Sequence, residues 1–186
     1  MKRSFPLVMK FIAAGTALLT ALFSLLYHRF GSNWLLSAAI TFGTVCYHFA
    51  MRLLVGAVIP NRFQYNSAWF QPQAWEASLY RKLHVRVWKK HVPTYDPRLF
   101  SLEENTLEQI VSNMCQAEVV HEVIMLCSFI PVLFTLVFGS FWVFLLTSVC
   151  SAALDLAFVC LQRYNRPRLV RILQKELKVT HVRTTH

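Results

Sequence analysis

Charge is scarce in this sequence, and acid is scarcer still. Only 15% of its 186 residues are charged, and nine Asp and Glu stand against 19 Lys and Arg, for a net charge of +10. A typical soluble domain carries charge on about a quarter of its residues, so a surface solvated on all sides is excluded. Glycine is sparse at five residues, and no P-loop or dinucleotide fingerprint occurs; GxSxG and HExxH are missing as well. The five cysteines (Cys46, Cys115, Cys127, Cys150, Cys160) form no CxxC pair and lie mostly in apolar stretches. They read as small buried hydrophobes, neither a disulfide framework nor metal ligands. No basic run interleaved with aromatics resembles an RNA-binding module, so nucleic acid is not an expected partner.

What the sequence has instead is apolar residues in blocks. A bilayer core takes about 20 mainly apolar residues in a helix, and four runs meet that length: residues 7–27, 34–58, 119–138 and 141–161. The expected fold is an all-α integral membrane protein of about four transmembrane helices, with amphipathic interfacial helices, in one membrane domain over residues 1–186. Met1-Lys2-Arg3 ahead of an apolar run is reminiscent of a signal peptide, but Lys10 interrupts it and no small-residue cleavage site follows, so a retained first helix is expected. Lys and Arg crowd a central loop (59–118) and a tail (162–186), whereas the two short turns between spans offer only Arg29. The positive-inside rule then places both termini and the loop in the cytoplasm, facing anionic lipid headgroups or a phosphate-bearing substrate.

The central loop has its own pattern. Pro72 suits a first helical turn; Trp75, Leu79 and Leu83 recur every four residues, with Arg81, Lys82 and Arg86 off that line. This predicts an amphipathic helix in the headgroup region; a helix packed on its neighbours is the other reading. Ser101-Leu102-Glu103-Glu104 is a capping box and predicts a helix start. Leu107, Val111, Met114, Glu118 and His121 then follow on one face, carrying a carboxylate and an imidazole onto the side that otherwise packs inward. Past Pro167, Leu169, Leu173 and Leu177 predict a further interfacial helix that supports the tail.

Ionisable groups are expensive inside a bilayer and tend to mark sites. His48 and Arg52 lie one turn apart on the second span. Glu118 and His121 are three apart, within hydrogen-bonding reach. Asp155 sits in the fourth span, with Gln162 two turns further on the same face. Each has a structural alternative: Arg52 snorkelling to the interface, Asp155 pairing with Arg52 to join two spans, His48 as a packing histidine. A lone Glu-x-x-His is also half of a di-metal motif, but the second half and its extra glutamates are missing, so no metal is expected.

The octapeptide Gln162-Arg163-Tyr164-Asn165-Arg166-Pro167-Arg168-Leu169 resembles the C-terminal signature of the glycosyl-4,4'-diaponeurosporenoate acyltransferase family, which acts last in staphylococcal carotenoid pigment synthesis. Ile59-Pro60, Val85-Arg86-Val87-Trp88-Lys89, Ala117-Glu118-Val119-Val120-His121 and Pro131 agree with it in order. The resemblance covers residues 59–173, and the first 58 match poorly. It implies transfer of a fatty acyl group to a hydroxyl of a glycosylated lipid or terpenoid in a bacterial cell membrane. The donor would be acyl-CoA or an acyl-carrier protein, with no further cofactor.

Acyl transfer from a thioester needs a base for the acceptor and a donor for the oxyanion. On this reading His121 is the base, Glu118 orients it, and Asn165 or Arg163 receives the oxyanion. Lys89, Arg166 and Arg168 would hold the donor's phosphates, unless these arginines are ordinary positive-inside flanks. Trp88, Gln162, His48, Arg52 and Asp155 complete the expected substrate-binding set, and membrane lipids and an amphiphilic acceptor are the expected partners. A small membrane methyltransferase or reductase is the rival enzyme, though only Glu176 is available where such enzymes place paired glutamates. A lipid-binding protein without catalysis is the other rival.

Overall fold

The computed structural model of the chain describes residues 5–92 and 97–184. Among these, no strand occurs and seven α-helices follow one another: α1 (Phe5–Phe30), α2 (Asn33–Val58), α3 (Glu76–Lys82), α4 (Val85–Trp88), α5 (Leu107–Cys127), α6 (Thr135–Phe138) and α7 (Phe141–Thr184). Four helical runs are long and apolar enough to cross a membrane: Pro6–Phe30, Asn33–Val58, Leu107–Phe138 and Phe141–Val179. The expected all-α membrane architecture is therefore the observed one.

The chain divides into two compact units. The first takes in α1, α2 and Glu122–Leu156, and the second takes in the described residues of Pro60–His121 and Ala157–His186. In the first unit the usual globular pattern is turned inside out. Leu18, Leu25, Leu136 and Val137 face outward, while Thr44, His48, Ser128, Ser148, Ser151 and Asp155 are buried. Such a surface is stable only against lipid, which also forces backbone polar groups into helices.

α1 ends where Gly31 takes φ 65° and its N–H bonds to the Tyr27 carbonyl at 2.8 Å, a left-handed cap that lets the chain reverse into α2. The two helices then pack closely: Phe23 stacks on Phe42 with ring centroids 5.5 Å apart, and Cys46 Sγ reaches the Ala13 carbonyl at 3.4 Å. Gly43 faces Thr20, whose methyl would lie 3.4 Å from any Cβ placed there.

The third run is not one regular helix. α5 stops at Cys127, a 3-10 segment follows over Ile130–Phe134, and α6 is a single turn. Pro131 is the cause: it has no N–H to give the carbonyl four residues back, and its ring crowds that carbonyl. That carbonyl belongs to Cys127, and it accepts the Tyr47 hydroxyl at 2.9 Å instead. Gly139 at φ 74° then turns the chain towards α7, as its place between two apolar runs predicts.

Three expectations change in the second unit. The helix predicted from Ser101 begins at Leu107: Ser101 Oγ accepts from Glu103 N, and the Asn105 amide donates to the Arg98 and Ser101 carbonyls, holding this stretch as a turn. The capping box that operates is Thr106 with Gln109, each side chain meeting the other's backbone N–H at 3.2 and 2.8 Å. The amphipathic helix past Pro72 is two short pieces, because His84 takes φ 52°. Its apolar line faces out, with Trp75 and Leu83 exposed, while Glu76, Tyr80 and Val85 are buried. The helix predicted to restart beyond Pro167 is instead the continuation of α7, 44 residues long with Pro167 inside it. At 1.5 Å per residue α7 spans about 66 Å, roughly twice the thickness of a hydrocarbon core.

Candidate active site

The inward face read from the sequence of α5 is the wall of the second unit's core. Val111, Met114 and Glu118 on it are buried, Glu118 completely, and Ile110 and Cys115 beside them are buried too. A carboxylate removed from water in this way needs charged partners, and α7 supplies them. Arg163 Nη1 donates to Glu118 Oε1 at 2.7 Å, and Arg166 Nη1 donates to Glu118 Oε2.

Arg163 has five N–H groups and makes five hydrogen bonds to four acceptors. Beyond Glu118, its Nε and Nη2 reach Glu76 Oε1 at 2.9 and 2.6 Å, and the Trp69 and Gln71 carbonyls accept at 3.2 and 3.3 Å. Arg166 lies over the Phe70 ring, 5.0 Å from its centroid, and donates to the Phe70 carbonyl at 2.8 Å. Two guanidiniums thus balance two carboxylates, and the segment from Trp69 to Gln71 is tied to α7 through its carbonyls. With this geometry Arg163 is committed to protein acceptors on every donor.

Glu76 was not legible as a site residue, although one signal existed. It is the sole acid in residues 61–95, a lone carboxylate in an otherwise basic and aromatic stretch. Its second oxygen accepts the Tyr80 hydroxyl at 3.1 Å. Burial, followed by the adjacent Glu76 charge, pushes the Tyr80 phenol above its ordinary range, which keeps it a proton donor.

Tyr80 meets Tyr164 edge-on at 5.8 Å, and Tyr164 carries the next layer. Lys89 Nζ lies 4.8 Å from the Tyr164 ring centroid and Arg168 5.7 Å from it. Lys89 also donates to Asn165 Oδ1 at 2.9 Å. Burial first, then the nearby Arg168 and Arg86 charges, pull the Lys89 ammonium below the usual lysine range. Of the expected phosphate-binding set, Lys89 and Arg168 are together here and Arg166 is in the carboxylate network. Trp88 is turned back on its own segment, its indole N–H donating to the Leu83 carbonyl at 2.9 Å.

His121, one turn past Glu118, stacks on Phe158 of α7 with centroids 4.5 Å apart and planes 11° from parallel. Phe158 and Asn165 are seven residues apart on that helix, about 10 Å along its axis. Gln162 is buried on the same helix.

In the first unit, Arg52 forms an ion pair with Asp155 and donates to Ser151 Oγ at 2.8 Å and to the His48 carbonyl at 3.0 Å. Ser151 Oγ also bonds Ser128 Oγ at 2.9 Å. The Arg52–Asp155 pairing weighed from the sequence is present, and it joins α2 to α7.

The model of one protein family, glycosyl-4,4'-diaponeurosporenoate acyltransferase, matches residues 66–175. The chain belongs to that family. The matched segment contains the whole Glu76–Glu118–Arg163–Arg166 network, His121, and the Lys89–Tyr164–Asn165–Arg168 cluster; α1 and α2 lie outside it. No curated protein and no solved structure matches the chain. Family membership makes this an acyltransferase sequence, and it assigns the buried network to the part of the chain that the family model describes.

Proposed function

We propose that the protein is a membrane acyltransferase of the bacterial cell membrane that moves a fatty acyl group onto a hydroxyl of a glycosylated lipid or terpenoid. Acyl-CoA or an acyl-carrier protein is the donor. The lysine and arginine distribution supports an orientation with both termini and the central loop in the cytoplasm, where such donors are found.

The observation that carries this reading is the anchoring of Glu118, one turn from His121, by two arginines of the family-matched tail. Glu118 positions rather than reacts: with both oxygens engaged by guanidiniums, it fixes α5 against α7 and so sets the place of the His121 ring on Phe158. His121 is the general base. It takes the acceptor's proton as the hydroxyl oxygen attacks the thioester carbonyl; the C–S bond then breaks, and the proton passes to the departing thiolate. Lys89 and Arg168, held by Tyr164 and Asn165, are suited to the donor's phosphates, since hydrogen bonds from these cations to phosphate oxygens are charge-assisted.

Lipid mass spectrometry on cells expressing wild type or His121→Ala tests this. The wild type should produce an acylated glycolipid or terpenoid glycoside. The variant should lose about 10²–10⁴-fold of that activity while remaining in the membrane at wild-type level. Undiminished product from the variant would remove His121 from the mechanism.

A further inference from the structure

A second candidate site lies in the first unit, apart from the Glu118–Arg163 network and independent of the acyl-transfer reading; its α2 residues fall outside the family-matched segment and its α7 residues within it. Thr44 on α2 and Phe144 on α7 both line a cavity of about 360 Å³, whose other walls include Pro131, Phe134 and Phe138. Further along the same two helices, Arg52 meets Ser151 and Asp155. His48 lies one turn from Thr44 and one turn from Arg52. Ser148 lies one turn from Phe144 and one from Ser151. Both therefore fall on the stretch between the cavity and the ion pair.

His48 is 6% exposed and Ser148 0%. Both His48 ring nitrogens and Ser148 Oγ are buried without a hydrogen-bond partner. Polar atoms buried in this way cost free energy unless something satisfies them, and in a bilayer water is scarce. An uncharged imidazole and a serine hydroxyl each offer a donor and an acceptor. Arg52 and Asp155 neutralise one another, so the site has no net charge to attract an ionised head. The cavity beside it is walled mainly by apolar side chains, Leu36 and Ile40 among them, with Thr20, Ser24, Thr44 and Tyr47 supplying hydroxyls.

We infer that the first unit binds a long-chain lipid with an uncharged hydroxyl head, its hydrocarbon in the 360 Å³ cavity and its hydroxyl on His48 and Ser148. The carboxylate of a fatty acid is disfavoured by the charge balance, and a plain hydrocarbon leaves the polar atoms unsatisfied.

The test uses the full chain in nanodiscs of neutral lipid and three photoreactive, alkyne-tagged probes: a long-chain alcohol, the corresponding fatty acid and the corresponding alkane. Peptide mapping should place the alcohol label on α2 and on residues 141–155, above the alkane by about two- to tenfold, the worth of one net hydrogen bond. Ser148→Ala and His48→Phe should each reduce that preference, with thermal denaturation confirming that the variants fold. Ala39→Phe, which projects a ring into the cavity, should suppress all three probes. Equal labelling by alcohol and alkane, labelling confined to other segments, stronger labelling by the acid, or an unchanged preference in folded Ser148→Ala would each overturn the inference.

Discussion

Each unit buries ionised groups between helices, but the two do so differently. In the first, the Arg52–Asp155 pair is accompanied by hydroxyls, with Ser151 and Ser128 extending it by neutral hydrogen bonds. In the second, two carboxylates and two guanidiniums are interlocked, and the Lys89 and Arg168 cations lie together on Tyr164, one aromatic layer away. A lone pair in a span is what joining two helices requires. An interlocked network does more: it fixes the stretch of α7 that carries Tyr164, Asn165 and Arg168, and so sets where Lys89 and Arg168 meet.

The two units should differ most in their response to loss of Glu118. Glu118→Ala leaves two buried guanidiniums with one carboxylate and should cost about 3–5 kcal/mol, the range seen when one partner of a buried pair is removed. Unfolding in a detergent series would show it, together with loss of activity. Asp155→Ala should act in the same direction but cost less, about 3 kcal/mol or below, because the Arg52 side chain is already 13% exposed and can turn towards the interface. Equal losses from the two variants would contradict the distinction between an interlocked network and a lone pair. Tyr47→Phe is the mildest, at about 1 kcal/mol, since it leaves only the Cys127 carbonyl short of a donor.

A pH titration sharpens the second unit further. The Tyr80 phenol is raised in the folded state, so folding retains a proton that the unfolded chain gives up near pH 10. Its contribution is complete below that pH and falls as pH rises above it. Tyr80→Phe should remove that part of the alkaline destabilisation, measured as the slope of stability against pH above about 10.

Much of this was readable from residue order. The four apolar runs appear as spans because hydropathy reports burial in lipid directly. The face bearing Glu118 was legible because the apolar positions of α5 set the period. Local signals misled where tertiary partners intervene. Ser101 and Thr106 both open a capping box, and the first loses because Asn105 closes a turn over it. Pro167 suggested a break, yet α7 runs through it, with Arg163 and Arg166 anchored on the turn that precedes it. The outward-facing line of Trp75 and Leu83 could be read as a stripe, but not assigned a side. That choice is made by Glu76 and Arg163, 87 residues apart in the chain.

The Arg52–Asp155 pair has a consequence for biosynthesis. Its partners are separated by 103 residues, so at ordinary translation rates the arginine is made roughly 5–20 s before its aspartate. Throughout that interval the second span carries a cation with no carboxylate to meet it, held only by turning towards the interface. A chain truncated anywhere before the last apolar run never acquires the counter-charge, and should be recognised and degraded by membrane proteases as unfinished.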